Sequence, residues 1–457
     1  VSVADVLPAR GIPRVTARAV LLVLGLVLVV SGFLDFVSST RYDVATRAWP
    51  VDFDINWVAA RRLVDGQALY DWPASRLEGE RIVDPAMRLT GHDPFSSYIG
   101  SPPVALSHVP FLPFGNHDGA QLFRFVSFVM MVASIVLSAW ALSPPARAPA
   151  ALIGLGVFFW TFPMVKALSL GQGTGMVMLG LALGIWGATR ERWTVAGIGL
   201  GVAAVLKVSP VLLLVYLVLR GKRRVVVPAV VTGLVCAGAA ALVGGAGDTV
   251  TWFRDISPQV SNGTISAYNQ SIVGALARLT TSHADLSLRI GPGAWYLLAY
   301  VLWAAALGGL WAARRRKSLD PLELGVLLVV LLLAGPLTWD HYFAWSAIPV
   351  VLVADPGRWS GRRPIEIGAL VTALVSSVLL LREGVPLPSP AAVRSDWWMR
   401  VATDHYAVAG VLLSAVAMWL LVRPVPGGTP TAECDDGGAA AVGAAREVVA
   451  GGVHGRS

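Results

Sequence analysis

Charge is scarce in this sequence. Only 14% of its 457 residues are Asp, Glu, Lys or Arg, against about 25% in a typical soluble domain. So few charges cannot keep so long a chain in water, which excludes a soluble globular protein. Cysteine is nearly absent, with Cys236 in an apolar run and Cys434 in a polar one. Two such residues exclude a disulfide framework and a zinc-ligand pattern. Lysine occurs only at 166, 207, 222 and 317, so the positive charge is mostly arginine. No repeat of 20–50 residues and no inverted halves stand out, which counts against a secondary transporter. A cleavable leader is not expected, because the first apolar run is long enough to span and is followed by Ser-Ser-Thr.

Apolar residues fill the rest. They make up 55% of the chain, the mean hydropathy is +0.65, and bulk disorder is excluded. A spanning helix needs ~20 apolar residues. Apolar runs fall near 19–36, 120–143, 148–163, 173–188, 195–206, 208–220, 225–244, 293–313, 321–337, 342–354, 365–381 and 405–422. The expected fold is all-α, a polytopic membrane protein of about 12 transmembrane helices. The net charge of +8 fits basic cytoplasmic loops, and no nucleic-acid partner is expected. Arg10, Arg14 and Arg18 precede the first run and set the N-terminus in the cytoplasm. Alternation then places inside Arg147, Arg190 and Arg192, Arg220 to Arg224, Arg314 to Lys317, Arg358 to Arg363, and the segment from Arg423. Residues 1–425 form one membrane unit, with 37–119 as a first periplasmic loop and re-entrant segment. Residues 426–457, rich in Gly and Ala, read as a disordered cytoplasmic tail.

The polar residues beside membrane segments are functional candidates, and this topology gathers them on the periplasmic side. Asp52-Phe53-Asp54 opens a short amphipathic helix, expected to lie on the membrane. Either Asp serves the chemistry or caps the helix. Tyr98-Ile99-Gly100-Ser101-Pro102-Pro103 is a rigid, broken segment in which the prolines do structural work. Leu170-Gly171-Gln172-Gly173-Thr174-Gly175 sits at a helix start, as a binding turn or a packing turn. Lys207 either snorkels to the interface or neutralises a phosphate. Asn269-Gln270-Ser271, Arg278 and the dense Thr338-Trp339-Asp340-His341-Tyr342 complete the set.

In order and spacing these elements resemble glycosyltransferase family 87, within the GT-C superfamily of polyprenyl-phosphate-sugar-dependent glycosyltransferases. The resemblance runs through Asp52-Phe53, Trp57, Gly66 and Leu69-Tyr70-Asp71, then Tyr98 to Pro103, Gly171-Gln172, Lys207 with Pro210, Asn269-Gln270-Ser271 with Arg278, and Trp339 with His341. Thr174, Thr338 and Tyr342 depart from the family pattern. The family includes actinobacterial mannosyltransferases acting on phosphatidylinositol mannosides and lipomannan, and an arabinofuranosyltransferase.

The resemblance implies a GT-C-type enzyme of the cell membrane with its active site facing the periplasm and both termini in the cytoplasm. It would move a sugar, mannose by preference, from a polyprenyl-phosphate donor to a lipid-linked glycan acceptor with inversion. Asp52 would be the base. His341 would assist it or contact the phosphate, with Lys207 and Arg278 stabilising the leaving phosphate. Gln172, Asn269 and Trp339 would orient the sugar, with Tyr70 and Asp54 in the binding set. No metal or other cofactor is expected. Partners are the donor, the acceptor and membrane lipids. Arabinofuranosyl transfer, and a transporter or flippase of lipid-linked sugars, are the alternatives.

Overall fold

The computed structural model describes residues 13–46, 51–74, 98–261, 263–280, 295–313, 318–382, 384 and 402–423. Expectations resting on Arg10, on Arg314 to Lys317, on Cys434 and on the tail 426–457 lie outside the described residues. The described residues are helical, with no strand beyond one isolated bridge between Asn269 and Trp339.

The helices used below are α1 (Arg14–Thr46), α2 (Val51–Val64), α3 (Pro102–Leu106), α4 (Gly115–Trp140), α5 (Pro144–Trp160), α6 (Phe162–Ser169), α7 (Thr174–Thr189), α8 (Trp193–Leu206), α9 (Val211–Leu219), α10 (Val226–Gly244), α11 (Ile272–Thr280), α12 (Trp295–Ala313), α13 (Pro321–Ala334), α14 (Ala347–Val353), α15 (Pro364–Arg382) and α16 (His405–Val422). Every apolar run of the sequence falls on one of them. Membrane length is rarer: among the described residues, five helical segments qualify by length and composition, or six if the bent pair α5–α6 counts as one. Among the described residues, the count of about 12 full spans is therefore not reached. Helices of 14 to 16 residues such as α7, α8 and α13 extend only about 21–24 Å, short of a ~30 Å hydrocarbon layer.

The architecture is a bundle around α13. Nearly every side chain of α13 is buried, and α9, α12, α14 and α16 pack on it. Its start is fixed by chemistry: Pro321 fits the first turn, where an N–H is not needed. Asp320 accepts from the Leu322 N–H at 2.9 Å while Glu323 closes the capping box. Glu323 also takes the Tyr216 hydroxyl and pairs with Arg220 at 2.9 Å. The outer faces of α1, α10 and α15 stay apolar and exposed, with Val15, Leu242 and Ile365 each at least four-fifths open. Lipid tails are the natural cover for such faces.

α2 was expected to rest on the membrane. Instead its apolar face is covered by protein: Phe53, Trp57 and Val58 pack with Ala120 and Phe123, while Ala59 and Leu63 pack with Leu69, Tyr98 and Ala105. The helix is held by α3, α4, α10 and the 3-10 turn Val109–Phe114.

Close approach of helices rests on small residues, as in other membrane bundles. A Cβ added to Gly180 of α7 would stand 2.6 Å from the Gly199 carbonyl oxygen of α8. The same modification at Gly238 of α10 meets nothing within 4 Å. Gly180→Val is expected to cost about 1–3 kcal/mol by overpacking and to lower the melting temperature in detergent, while Gly238→Val leaves it in place. Equal melting of the two variants would refute the tight α7–α8 seam.

Candidate active site

Three breaks in the helices build the site. The first follows α6. Gly171, at φ +68°, occupies the left-handed position that closes a helix in a Schellman turn. Its N–H bonds the Leu168 carbonyl at 3.1 Å, and the Gln172 N–H bonds that of Ala167 at 2.9 Å. The freed Leu170 carbonyl accepts from both Asp52 and Phe53, each at 3.1 Å. The turn therefore docks the first residues of α2 and aims Gln172 at Asp52. The Gln172 Nε2 donates to Asp52 Oδ2 at 2.6 Å, with both side chains half-buried.

The second break follows α8. Lys207 ends that helix in an extended conformation. Its Nζ donates to the Tyr342 hydroxyl and lies 4.3 Å from the centre of that ring. Tyr342 stacks on Trp345 with centroids 5.2 Å apart. The third break follows α13, where Gly335 to Trp339 lead into the 3-10 turn Asp340–Ser346. Asn269 brackets it. Its Nδ2 donates to the carbonyls of Thr264 and Pro336 at 2.8 and 3.0 Å, and its Oδ1 accepts from the Thr338 N–H at 2.9 Å. The same strand-like pairing aligns Trp339, which stays half-buried.

His341 is buried beside Asp340. The Asp340 Oδ1 accepts the His341 N–H at 2.7 Å and lies 3.4 Å from its Nδ1. The Nε2 finds no partner among the described residues. A buried polar atom without a partner calls for an explanation, and a ligand is one.

The structure brings together Asp52 and Gln172, Lys207 and the 340–346 turn, and Asn269 and Trp339. It draws others into internal contacts. Arg278 is buried in an ion pair with Asp404 and donates to the carbonyls of Ser266 and Asn269. The Tyr70 hydroxyl donates to the Gly100 carbonyl at 2.8 Å. Asp54 is 1% exposed, so its carboxylate faces the packing between α2 and α4, where Oδ1 accepts from Asn116 Nδ2 at 2.7 Å. Asn116, Tyr342 as the partner of Lys207, and Lys166 are the residues that sequence reading did not place. Asn116 is an ordinary asparagine at the start of α4, and its link to Asp54 crosses 62 positions, so no local pattern announces it.

Burial pushes the Asp54 carboxyl up to about 7, with Asn116 and Arg124 opposing the shift and Asp52 adding to it. A carboxyl that holds its proton more tightly when folded loses stability as pH rises from its unfolded value, about 4, to 7. Asp54→Asn removes that dependence. Melting temperatures taken across this interval are expected to fall for the wild type relative to Asp54→Asn as pH increases. Parallel curves would show that Asp54 is not so perturbed.

Comparison with known proteins identifies the family. The model of glycosyltransferase family 87 matches residues 98–339, more than half of the chain. A polyprenol-phosphate-mannose-dependent alpha-(1-2)-phosphatidylinositol pentamannoside mannosyltransferase of Mycobacterium tuberculosis (strain CDC 1551 / Oshkosh) is 28% identical, over 81% of this chain and 84% of its own length. A polyprenol-phosphate-mannose-dependent alpha-(1-2)-phosphatidylinositol mannoside mannosyltransferase of Mycobacterium tuberculosis (strain ATCC 25618 / H37Rv) is 26% identical, over 82% and 86%. The corresponding pentamannoside enzyme of Mycolicibacterium smegmatis is 25% identical, over 87% and 92%. Three broken helices carrying Gln172, Lys207 and His341, an apolar helical bundle and the family match lead to one conclusion: this chain is a membrane glycosyltransferase and belongs to glycosyltransferase family 87.

Proposed function

We propose that the chain transfers mannose from a polyprenyl-phosphate-mannose donor to a phosphatidylinositol-mannoside-type acceptor, with inversion, on the periplasmic face. The donor and acceptor classes come from the names of its relatives. The observation that carries the chemistry is the Asp52 carboxylate, half-buried at the start of α2 and oriented by the Gln172 amide at 2.6 Å.

In the reaction an acceptor hydroxyl attacks the sugar C1 from the face opposite the phosphate. The C1–O bond to phosphate breaks, and Asp52 takes the hydroxyl proton as the new bond forms. Gln172 holds one carboxylate oxygen and leaves the other for that proton. Lys207, its ammonium between the Tyr342 hydroxyl and ring, stabilises the charge that develops on the departing phosphate. The unpartnered His341 Nε2 supplies a further donor or acceptor. Trp339 offers an aromatic platform for the sugar. Arg278, Asn269, Tyr70 and Asp54 act by holding the site's walls.

Orientation follows from charge. α7 and α8 start and end at Gln172 and Lys207, and their far turn carries Arg190 and Arg192 about 24 Å away. Arg220 to Arg224 lie at the same far end, between α9 and α10. Basic turns face the cytoplasm, so Asp52 faces the periplasm, and the shorter helices complete the bundle between them.

Purified protein incubated with radiolabelled polyprenyl-phosphate mannose and phosphatidylinositol mannosides is expected to yield an elongated lipid. Asp52→Asn is expected to lower turnover by about 10²–10⁴-fold while donor binding persists. Full turnover in that variant would remove Asp52 as the base, and labelling from an arabinofuranosyl donor alone would move the activity to the other sugar.

A further inference from the structure

Most cations at the Asp52 end of the bundle already have their counter-charges or acceptors. Arg278 is paired with Asp404, Arg254 with Asp255, and Arg382 with Asp35. Arg124 donates to the carbonyls of Leu168 and Ser169 at 3.0 and 2.7 Å, and Arg62 to that of Ala68 at 3.0 and 2.8 Å. The two lysines at this end differ. Among the described residues, Lys207 meets a hydroxyl and a ring. Lys166, on α6, is half-buried with its Nζ 5.3 Å from the centre of the Tyr268 ring. No carboxylate pairs with it among the described residues. An aromatic face holds an ammonium by its quadrupole but does not neutralise its charge, so an anion can still join it there.

The position of Lys166 is informative. Its carbonyl accepts the Leu170 N–H at 3.0 Å, one helical turn below the carbonyl that docks Asp52. On its other side, the Tyr268 carbonyl accepts the Asp340 N–H at 2.9 Å, and Tyr268 adjoins Asn269, which is bridged to Trp339. Lys166 thus lies between the Asp52–Gln172 contact and the Trp339–His341 segment. A two-lipid reaction of the kind proposed above brings two phosphates to this end, one on the donor and one on the acceptor, whereas Lys207 is a single point charge.

We propose that Lys166 is a second phosphate-binding cation, holding the lipid-borne phosphate that Lys207 does not. The inference rests on the proposed transfer between two phosphate-bearing lipids. The phosphate can come from either, and binding measurements separate them. Farnesyl phosphate stands for the departing polyprenyl phosphate, phosphatidylinositol for the acceptor headgroup, and farnesol is the uncharged control. Each is titrated against the full-length protein in detergent, with wild type, Lys166→Gln, Lys166→Met and Lys166→Arg.

Loss of one charged hydrogen bond corresponds to about a 10-fold weakening. Lys166→Gln is expected to weaken one of the two phosphate lipids by that factor, to leave farnesol unchanged, and to recover with Lys166→Arg. Weakened farnesyl phosphate assigns the donor, and weakened phosphatidylinositol assigns the acceptor. Lys166→Met keeps the apolar stem and gives the same readout where the Gln variant is unstable. Unchanged binding of both phosphate lipids, or an equal loss for farnesol, overturns the proposal. Wild-type binding of farnesyl phosphate in that case leaves the transfer reaction standing. Wild-type protein that binds neither phosphate lipid overturns both.

Discussion

Inside a membrane a helix cannot simply stop, because every backbone N–H and C=O released at its end must find a partner within the protein. Three of this chain's helices stop beside the candidate site near one end of the bundle, and each stop is satisfied in its own way. After α6 the Schellman turn at Gly171 ties back the chain and passes the spare Leu170 carbonyl to α2. After α13 the Asn269 side chain stands in for the missing helical turn. After α8 the Lys207 N–H still reaches back to the Ala203 carbonyl at 2.9 Å, and its side chain turns to Tyr342. The same groups that satisfy the backbone set out the polar side chains, so repair of the broken helices and construction of the site are one event.

That dual use divides the polar residues into two kinds. Asn269 and Gln270 are fully buried, and their amides are taken up by the segments 264–267, 336–338 and 403–406. Asp52, Gln172, Lys207 and Trp339 keep part of their surface open. Asp52 and Asp54 make the contrast sharpest, since two acids only two residues apart on one helix point to different sides. One meets a half-open amide, and the other meets Asn116 within the packing.

Much of this was legible in the sequence wherever the cause is local. Twelve apolar runs became helices because hydrophobicity is a property of a short window. The segment around Gly171 and Gln172 announced the start of α7, the prolines after Tyr98 a broken segment, and Lys207 followed by Pro210 a turn between helices. Membrane length was less legible: an apolar run does not reveal where its helix ends, and α9 and α14 proved to be 9 and 7 residues. The surface of α2 was misjudged for a related reason. Its periodicity marks an apolar face correctly but does not say whether lipid or protein covers it. Links across the chain were not legible at all. Arg278 with Asp404 spans 126 positions, and Lys207 with Tyr342 spans 135. Such pairs exist only after the bundle has closed.

The glycine seam between α7 and α8 bears on more than stability. α7 begins just after Gln172, and α8 ends just before Lys207. The two helices form an antiparallel hairpin whose arms are brought to backbone contact where Gly180 meets Gly199 and Gly187 meets Ala196, with the Leu200 side chain packed over Gly184 between them. Such a hairpin acts as a caliper. The separation of its tips, and so the gap between the Gln172 amide that meets Asp52 and the Lys207 ammonium, is set along its arms, away from both side chains. The spacing of the candidate groups is thereby written into residues remote from them.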